Sequence, residues 1–272
     1  MASRVLYCGD TQFETITSAK GVDTFTHHYF LDGSRVLRSA FEAEGIECVH
    51  MPAHEITTRF PETSDELSGS YDVVVISDVG YNNFTLLAPY NRSPARVPLG
   101  PNRATVLHDF VKAGGGLIMC GGWLTFSGLN ATGLYSGTVI EDVLPVTCLP
   151  GLDDRVEVPE GIRLTLNIPS HPIVQGLPWD DSYLVVGYNR VRPRPSAVVV
   201  ASFGDDPALA IGMYGNGRSV AYTTDPAPHW SGTFMDWSGY SRFWGRIVKW
   251  AAGTFPSGDE TTDTVSTASI TR

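Results

Sequence analysis

Apolar and polar positions fall in blocks along the first half of this chain. Arg4–Asp10, RVLYCGD, is a short apolar run closed by Gly-Asp, the pattern of a strand that ends in a loop. In Gly33–Gly45, GSRVLRSAFEAEG, residues Val36, Leu37, Ala40 and Phe41 recur at helical spacing, and Gly45 supplies a stop. IECVHMP predicts a second strand, YDVVVISDVG (Tyr71–Gly80) a third and GLIMC (Gly116–Cys120) a fourth. The third is apolar at consecutive positions, which suits a parallel strand covered on both faces. NRATVLHDFVKAG (Asn102–Gly114) predicts a helix with Asn102 as N-cap. Strand and helix in alternation predict a doubly wound α/β sheet.

The second half has a different rhythm. RVEV, SYLVVGYNRV, SAVVVASFG, ALAIGMYG and RSVAYTTD follow one another with turns such as Gly204-Asp205-Asp206-Pro207 between them. They predict additional antiparallel strands. Gly239–Gly253 closes with an amphipathic helix carrying Phe243, Trp244, Ile247, Val248 and Trp250. Residues 88–101 hold four prolines and no period, the pattern of a surface excursion that serves as a lid or subunit contact. Residues 255–272 are rich in Ser, Thr and Asp and read as a flexible tail, leaving 1–254 as one domain.

Composition narrows the function classes. With 42% hydrophobic residues in 272, a sizeable core can form. A formal net charge of -10 argues against nucleic acid as a partner, because phosphate binding needs a basic footprint. No stretch of about 18 apolar residues predicts a membrane span, and no basic-then-apolar leader opens the chain. The four cysteines, Cys8, Cys48, Cys120 and Cys148, form no C-x-x-C pair. That spacing fits reduced thiols in a cytoplasmic protein. The histidines form no convincing ligand set, so neither a metal nor a cofactor is expected.

In open parallel sheets, ligands bind beyond the carboxyl ends of the strands. There the chain places Asp10, Asp78, Gly80, Cys120 with Gly121 and Gly122, Asp225 and His229. Cys120 precedes two glycines after an apolar strand. It reads either as a nucleophile on a tight strand-to-helix turn or as a small core residue. As a nucleophile it would take His229 as base and the N–H groups of Gly80 and Gly121 as oxyanion donors. His229, between Pro228 and Trp230, equally fits a hydrogen-bonded structural histidine. Asp10, Asp78, Trp123, Asn189 and Trp230 form the expected ligand rim, the aromatics being suited to stacking on a sugar or to core packing. Arg190, Arg192 and Arg194 would share one face of a strand, as an anion site or a solvated edge.

Several stretches in one order resemble a known family: GVDTFT at 21–26, RFPET at 59–63, YDVVVISDVG, AGGGLIMCGGWLTFSG, EDVLPV at 141–146, DDRVEVPEG at 153–161, HPIVQGLP at 171–178, GYNRV and DPAPHW. Together, from Val5 to Gly253, they resemble the bacterial class I glutamine amidotransferase-like proteins. The resemblance implies a flavodoxin-like three-layer α/β sandwich. It also implies a Cys-His-Glu triad that hydrolyses glutamine and hands ammonia to a synthetase. The family's Gly-x-Cys-x-Gly elbow corresponds to residues 118–122, with Ile118 in place of the first glycine. Its His-Pro-Glu corresponds to His229, Trp230 and Ser231, so the acid is missing there, and Asp225 or Asp236 is left to supply it. Two readings follow. One is a cysteine-dependent amide hydrolase of glutaminase type (Cys120, His229, Asp225) that works with a partner synthetase chain. The other is a catalytically degenerate module that binds a small polar ligand such as a carbohydrate. Either would work as a homo-oligomer.

Overall fold

The consecutive apolar runs do form parallel strands. The computed structural model describes residues 2–86, 99–180 and 182–255. The proline-rich excursion and the tail fall almost wholly outside them. The strands are β1 Arg4–Gly9, β2 Thr11–Lys20, β3 Asp23–Asp32, β4 Glu47–Met51, β5 Val73–Ser77, β6 Gly116–Cys120, β7 Val146–Thr147, β8 Arg155–Ile162, β9 Thr165–Leu166, β10 Val185–Asn189, β11 Arg192–Pro193, β12 Val198–Phe203, β13 Asp206–Tyr214 and β14 Gly217–Tyr222. The helices are α1 Arg35–Ala43, α2 Ile56–Arg59, α3 Ser64–Ser70, α4 Asn82–Thr85, α5 Arg103–Ala113, α6 Val139–Val143 and α7 Tyr240–Ala251.

Eight strands make one sheet in the order β4-β1-β5-β6-β14-β13-β12-β9. The first five are mutually parallel and the last three continue antiparallel. Numbered among themselves along the chain, the parallel strands run 2-1-3-4-5, the flavodoxin-like order. All five residues of β5 and of β6 are buried, because helices cover both faces. Val5, Tyr7, Val75, Ile118 and Tyr222 pack on α1 and α7 through Leu37, Phe41, Phe243, Trp244 and Ile247. Leu6, Val74, Ile76, Leu117 and Met119 pack on α3 and α5 through Leu67, Leu107, Phe110 and Val111. The fold is a flavodoxin-like α/β/α sandwich with an antiparallel extension.

Local signals place the helices. Asn102 Oδ1 accepts from the N–H groups of Ala104 (3.1 Å) and Thr105 (3.4 Å), capping α5 as its sequence predicts. The three arginines do not converge on an anion site. Arg190 pairs with Asp206 at 2.9 Å, whereas Arg194 donates to the carbonyls of Leu144 and Glu141 at the end of α6.

Two features depart from the sequence-based expectation. The segment between β1 and α1 forms a two-stranded ribbon, β2–β3, paired over its whole length from Thr11–Asp32 to Lys20–Asp23. Nor does a helix begin after Cys120. Residues 121–128 form an irregular loop tied down from a distant strand. Asn189, at the end of β10, accepts from Gly122 N (2.9 Å) and donates to Gly122 O (3.1 Å) and to Asp154 Oδ1 (2.8 Å). Asp154 in turn accepts from the N–H groups of Ser127 and Gly128.

Candidate functional site

The reversal of strand order at β1 puts a crevice between the ends of β1 and β5, where open α/β sheets bind ligands. In register, Gly9 of β1 lies beside Ser77 of β5, and Ser77 beside Cys120 of β6. The residue after each of the first two strands is an aspartate, Asp10 and Asp78. Both adopt the left-handed conformation, with φ of 48°. Aspartate tolerates that region better than most residues, and the bend turns each carboxylate out of the strand line.

A cavity of about 560 Å³ opens at this point. Its wall includes Asp10, Asp78, Trp123, Asp225 and His229, together with Gln12, Glu14, Leu31 and Asp32 from the β2–β3 ribbon. Five of the lining residues are carboxylic acids and none is Lys or Arg.

The acids differ in their support. Tyr7 Oη and Ser77 Oγ both donate to Asp10, the latter at 3.2 Å. Burial, with repulsion from Asp225 and Asp78, still pushes the Asp10 carboxyl well above the usual carboxylate range. Burial and the neighbouring Asp225 raise Asp78 to about 6, against hydrogen bonds from the N–H groups of Leu124 and Trp123. Asp225 is raised chiefly by burial, while its bonds with His229 and Ala227 N–H pull the other way. Burial draws the His229 imidazolium down, but the bond to Asp225 at 3.3 Å and the surrounding carboxylates outweigh it and raise its pKa. Trp123, 42% exposed, meets the His229 ring edge-on at 5.1 Å, and Trp230 stacks on the same imidazole, also at 5.1 Å. Among the described residues, no three His, Cys, Asp or Glu side chains are arranged to hold a metal ion.

The other residues singled out from the sequence sit elsewhere. Cys120 is 0% exposed, belongs to the core packed on α1 and α7, and does not line the cavity. Burial, with Asp10 and Asp225 nearby, raises its thiol pKa well above the ordinary value. Gly121 N–H is engaged by the carbonyls of Tyr222 (2.8 Å) and Thr224 (2.9 Å), so it is not directed at a ligand. Gly80 is buried and lies off the cavity wall. Asn189 and Trp230 are also buried, Asn189 as the loop tie and Trp230 through its donation to Glu157. The glycines after Cys120 therefore serve close approach rather than an elbow. A Cβ on Gly121 would lie 2.1 Å from Thr223 O, and one on Gly122 2.6 Å from Asp78 Oδ1. The ribbon contribution escaped the sequence reading, although TQFETITSAK and DTFTHHYFLD alternate with strand period around Gly21.

This burial has a direct consequence. A water-soluble thiol reagent at neutral pH is expected to leave Cys120 unlabelled in the folded protein and to modify it in denaturant. Mass mapping of the labelled peptides reads the difference.

Fold and crevice together define a flavodoxin-like α/β protein with an acidic cavity at its switch point. Residues 4–253 match the model of the family described as "Putative glutamine amidotransferase", and the chain belongs to that family. Two solved structures of cytoplasmic proteins from Salmonella typhimurium are similar over nearly their whole length. One is 38% identical, covers 91% of this chain and 98% of its own, and has a TM-score of 0.84. The other is 34% identical, with coverage of 91% and 99% and the same TM-score. A ThuA-like protein from Bacteroides uniformis shares the fold at 10% identity, with coverage of 94% of both chains and a TM-score of 0.50. Comparison with curated proteins finds no match. No helix among the described residues is long and apolar enough to cross a membrane.

Proposed function

We propose that this family member binds a small polyhydroxylated molecule without negative charge, a sugar or amino sugar, in the crevice between β1 and β5. On this reading it does not act as a Cys120-dependent glutaminase and needs no synthetase partner. The observation that carries this is the separation of the thiol from the cavity. Asp10, Asp78, Asp225 and His229 line the space, while Cys120 lies in the core behind them. Carboxylates accept from hydroxyl or ammonium donors, and the part-exposed indole of Trp123, with the Arg155 guanidinium over its ring at 5.3 Å, offers apolar surface to a sugar. The α-carboxylate of glutamine would meet a wall of acids with no arginine or lysine to receive it. The Asp225–His229 pair is the couple facing the cavity that can pass a proton, so any turnover of the bound molecule would run through it.

The test pairs calorimetric titration with an ammonia assay. A panel of neutral sugars, amino sugars and glutamine is titrated into wild type, Cys120→Ala, Asp225→Asn and Trp123→Ala. A neutral or amino sugar is expected to bind wild type and Cys120→Ala alike, with affinity at least about tenfold weaker in the other two. Glutamine should release no ammonia with any of the four. Ammonia release that Cys120→Ala abolishes would restore the glutaminase reading.

A further inference from the structure

The acids at the strand ends use only part of the cavity. Asp10, Asp78, Asp225 and His229 line it there, beside Trp123. The cavity continues up the base of the β2–β3 ribbon, where Gln12, Glu14 and Leu31 form its wall. Glu14 stands three residues into β2, about 10 Å along the strand from Thr11. Volume leads the same way. Even at the ~30 Å³ that a water takes in the liquid, generous for atoms joined covalently, the dozen or so non-hydrogen atoms of a monosaccharide fill at most about 360 Å³ of the cavity's 560 Å³. The ribbon base is the part of the wall that a ring held by Asp225 and Trp123 leaves open.

That base is fixed to the body of the protein. Thr11 Oγ1 accepts from Ala53 N–H at 2.9 Å, and Gly33 N–H donates to Asp10 O at 2.7 Å, so both strands are tied where they leave the sheet. Alternation then divides the ribbon into two faces. Phe13 and its cross-strand partner Phe30 meet the His54 ring at 4.9 and 5.8 Å. The opposite face carries Gln12 beside Leu31 and Glu14 beside Tyr29. Gln12 Nε2 donates to Glu14 Oε1 at 2.8 Å, which orients both side chains before a ligand arrives. One bond leaves the second amide hydrogen and the remaining carboxylate lone pairs for hydroxyl groups. Leu31, 42% exposed, sets an apolar surface next to them.

We propose that the ribbon base is a second sugar subsite, so that the cavity takes a disaccharide in preference to a single sugar. One unit lies among Asp78, Asp225 and Trp123, and the other against Gln12, Glu14 and Leu31. The inference rests on the sugar-binding reading of the same cavity. A polar pair next to an apolar side chain matches a sugar ring, whose edge carries hydroxyls and whose face carries C–H groups. Glu14 and Asp32 disfavour a phosphate or carboxylate on the second unit, as the acids at the strand ends do on the first.

Calorimetric titration of the full chain with paired probes tests it: glucose with maltose and cellobiose, and glucosamine with its β-1,4 dimer. Wild type is expected to bind at least one dimer about tenfold or more tighter than its monomer. Glu14→Ala combined with Leu31→Ala should shrink that preference to within about twofold, and Gln12→Ala should reduce it. Thr17→Ala with Thr26→Ala, on the opposite face of the ribbon, should keep it. Circular dichroism reports whether each variant folds. Monomer binding with no dimer preference in wild type would overturn the second subsite and leave the sugar reading standing. So would a preference that survives the Glu14 and Leu31 changes, or one lost equally in the Thr17 and Thr26 variant. Absence of binding by every monomer and dimer would overturn both.

Discussion

Gly121→Ala is expected to destabilise the protein by about 3 kcal/mol or more, lowering Tm by about 6–12 °C in a chain of this size. The added Cβ would fall 2.1 Å from Thr223 O and 2.6 Å from its carbonyl carbon. Those atoms belong to backbone leaving the adjacent β14, and Thr223 O already accepts from Asn189 N–H at 2.8 Å. A side chain could rotate away from such a contact, but backbone can yield only by breaking its own hydrogen bonds. Moving the loop instead would pull Gly122 from Asn189 and disturb the approach to Asp78. Thermal unfolding followed by circular dichroism checks this, with Gly69→Ala as control. Gly69 lies in α3, and a Cβ there meets nothing within 4 Å. That control should be neutral or slightly stabilising, since alanine is the better helix former. A Gly121→Ala protein as stable as wild type would refute the close-approach role.

Asp78→Asn is expected to have the opposite sign at neutral pH. The folded protein holds the Asp78 proton up to about pH 6, against an ordinary value of 3.8. Between these values the unfolded chain ionises while the folded chain resists, so stability falls as pH rises and stays reduced above about 6. Removing the charge should therefore stabilise the protein by about 1–3 kcal/mol at pH 7.5. The gain should shrink to nothing near pH 4, where wild type is itself protonated. Asparagine keeps an oxygen that can accept from Leu124 N–H, which donates at 2.7 Å to Asp78 Oδ1. Tm measured for both proteins across pH 4–8 distinguishes this from a generic packing effect, which would give a constant offset or a loss. The same variant should bind the cavity ligand less well. Three mutually repelling buried acids reduce stability for the sake of a site and are the kind of cluster found where function is located.

The fold was largely legible in the sequence. Runs such as VVVIS and GLIMC, helical spacing in 35–43 and 103–113, and Asn102 before α5 are local signals, and the structure follows them. The residues at the strand ends were legible for a similar reason. Topology places Asp10 and Asp78 at the switch point whatever their side chains do, and Asp225 and His229 follow β14, two strands along from β5. The β2–β3 arm was less legible. Its alternation is plain in the letters, but a ribbon with neither face in its own core lacks the apolar side that makes alternation persuasive.

By itself, then, the sequence determined the sheet, its covering helices and the position of four polar residues at one rim, because backbone pairing and burial of apolar faces are repeated local choices. Tertiary structure decided the orientation and company of the side chains. Whether Cys120 faces the crevice or the core, whether Gly121 N–H is free or engaged, and whether Asn189 reaches a ligand or Gly122 depend on contacts between residues up to 103 positions apart, as Gly121 and Thr224 are. Such contacts leave no periodicity in the chain. They arise only when β6, β10 and β14 are brought together, and they seal the cysteine in the core and leave the carboxylates lining the cavity.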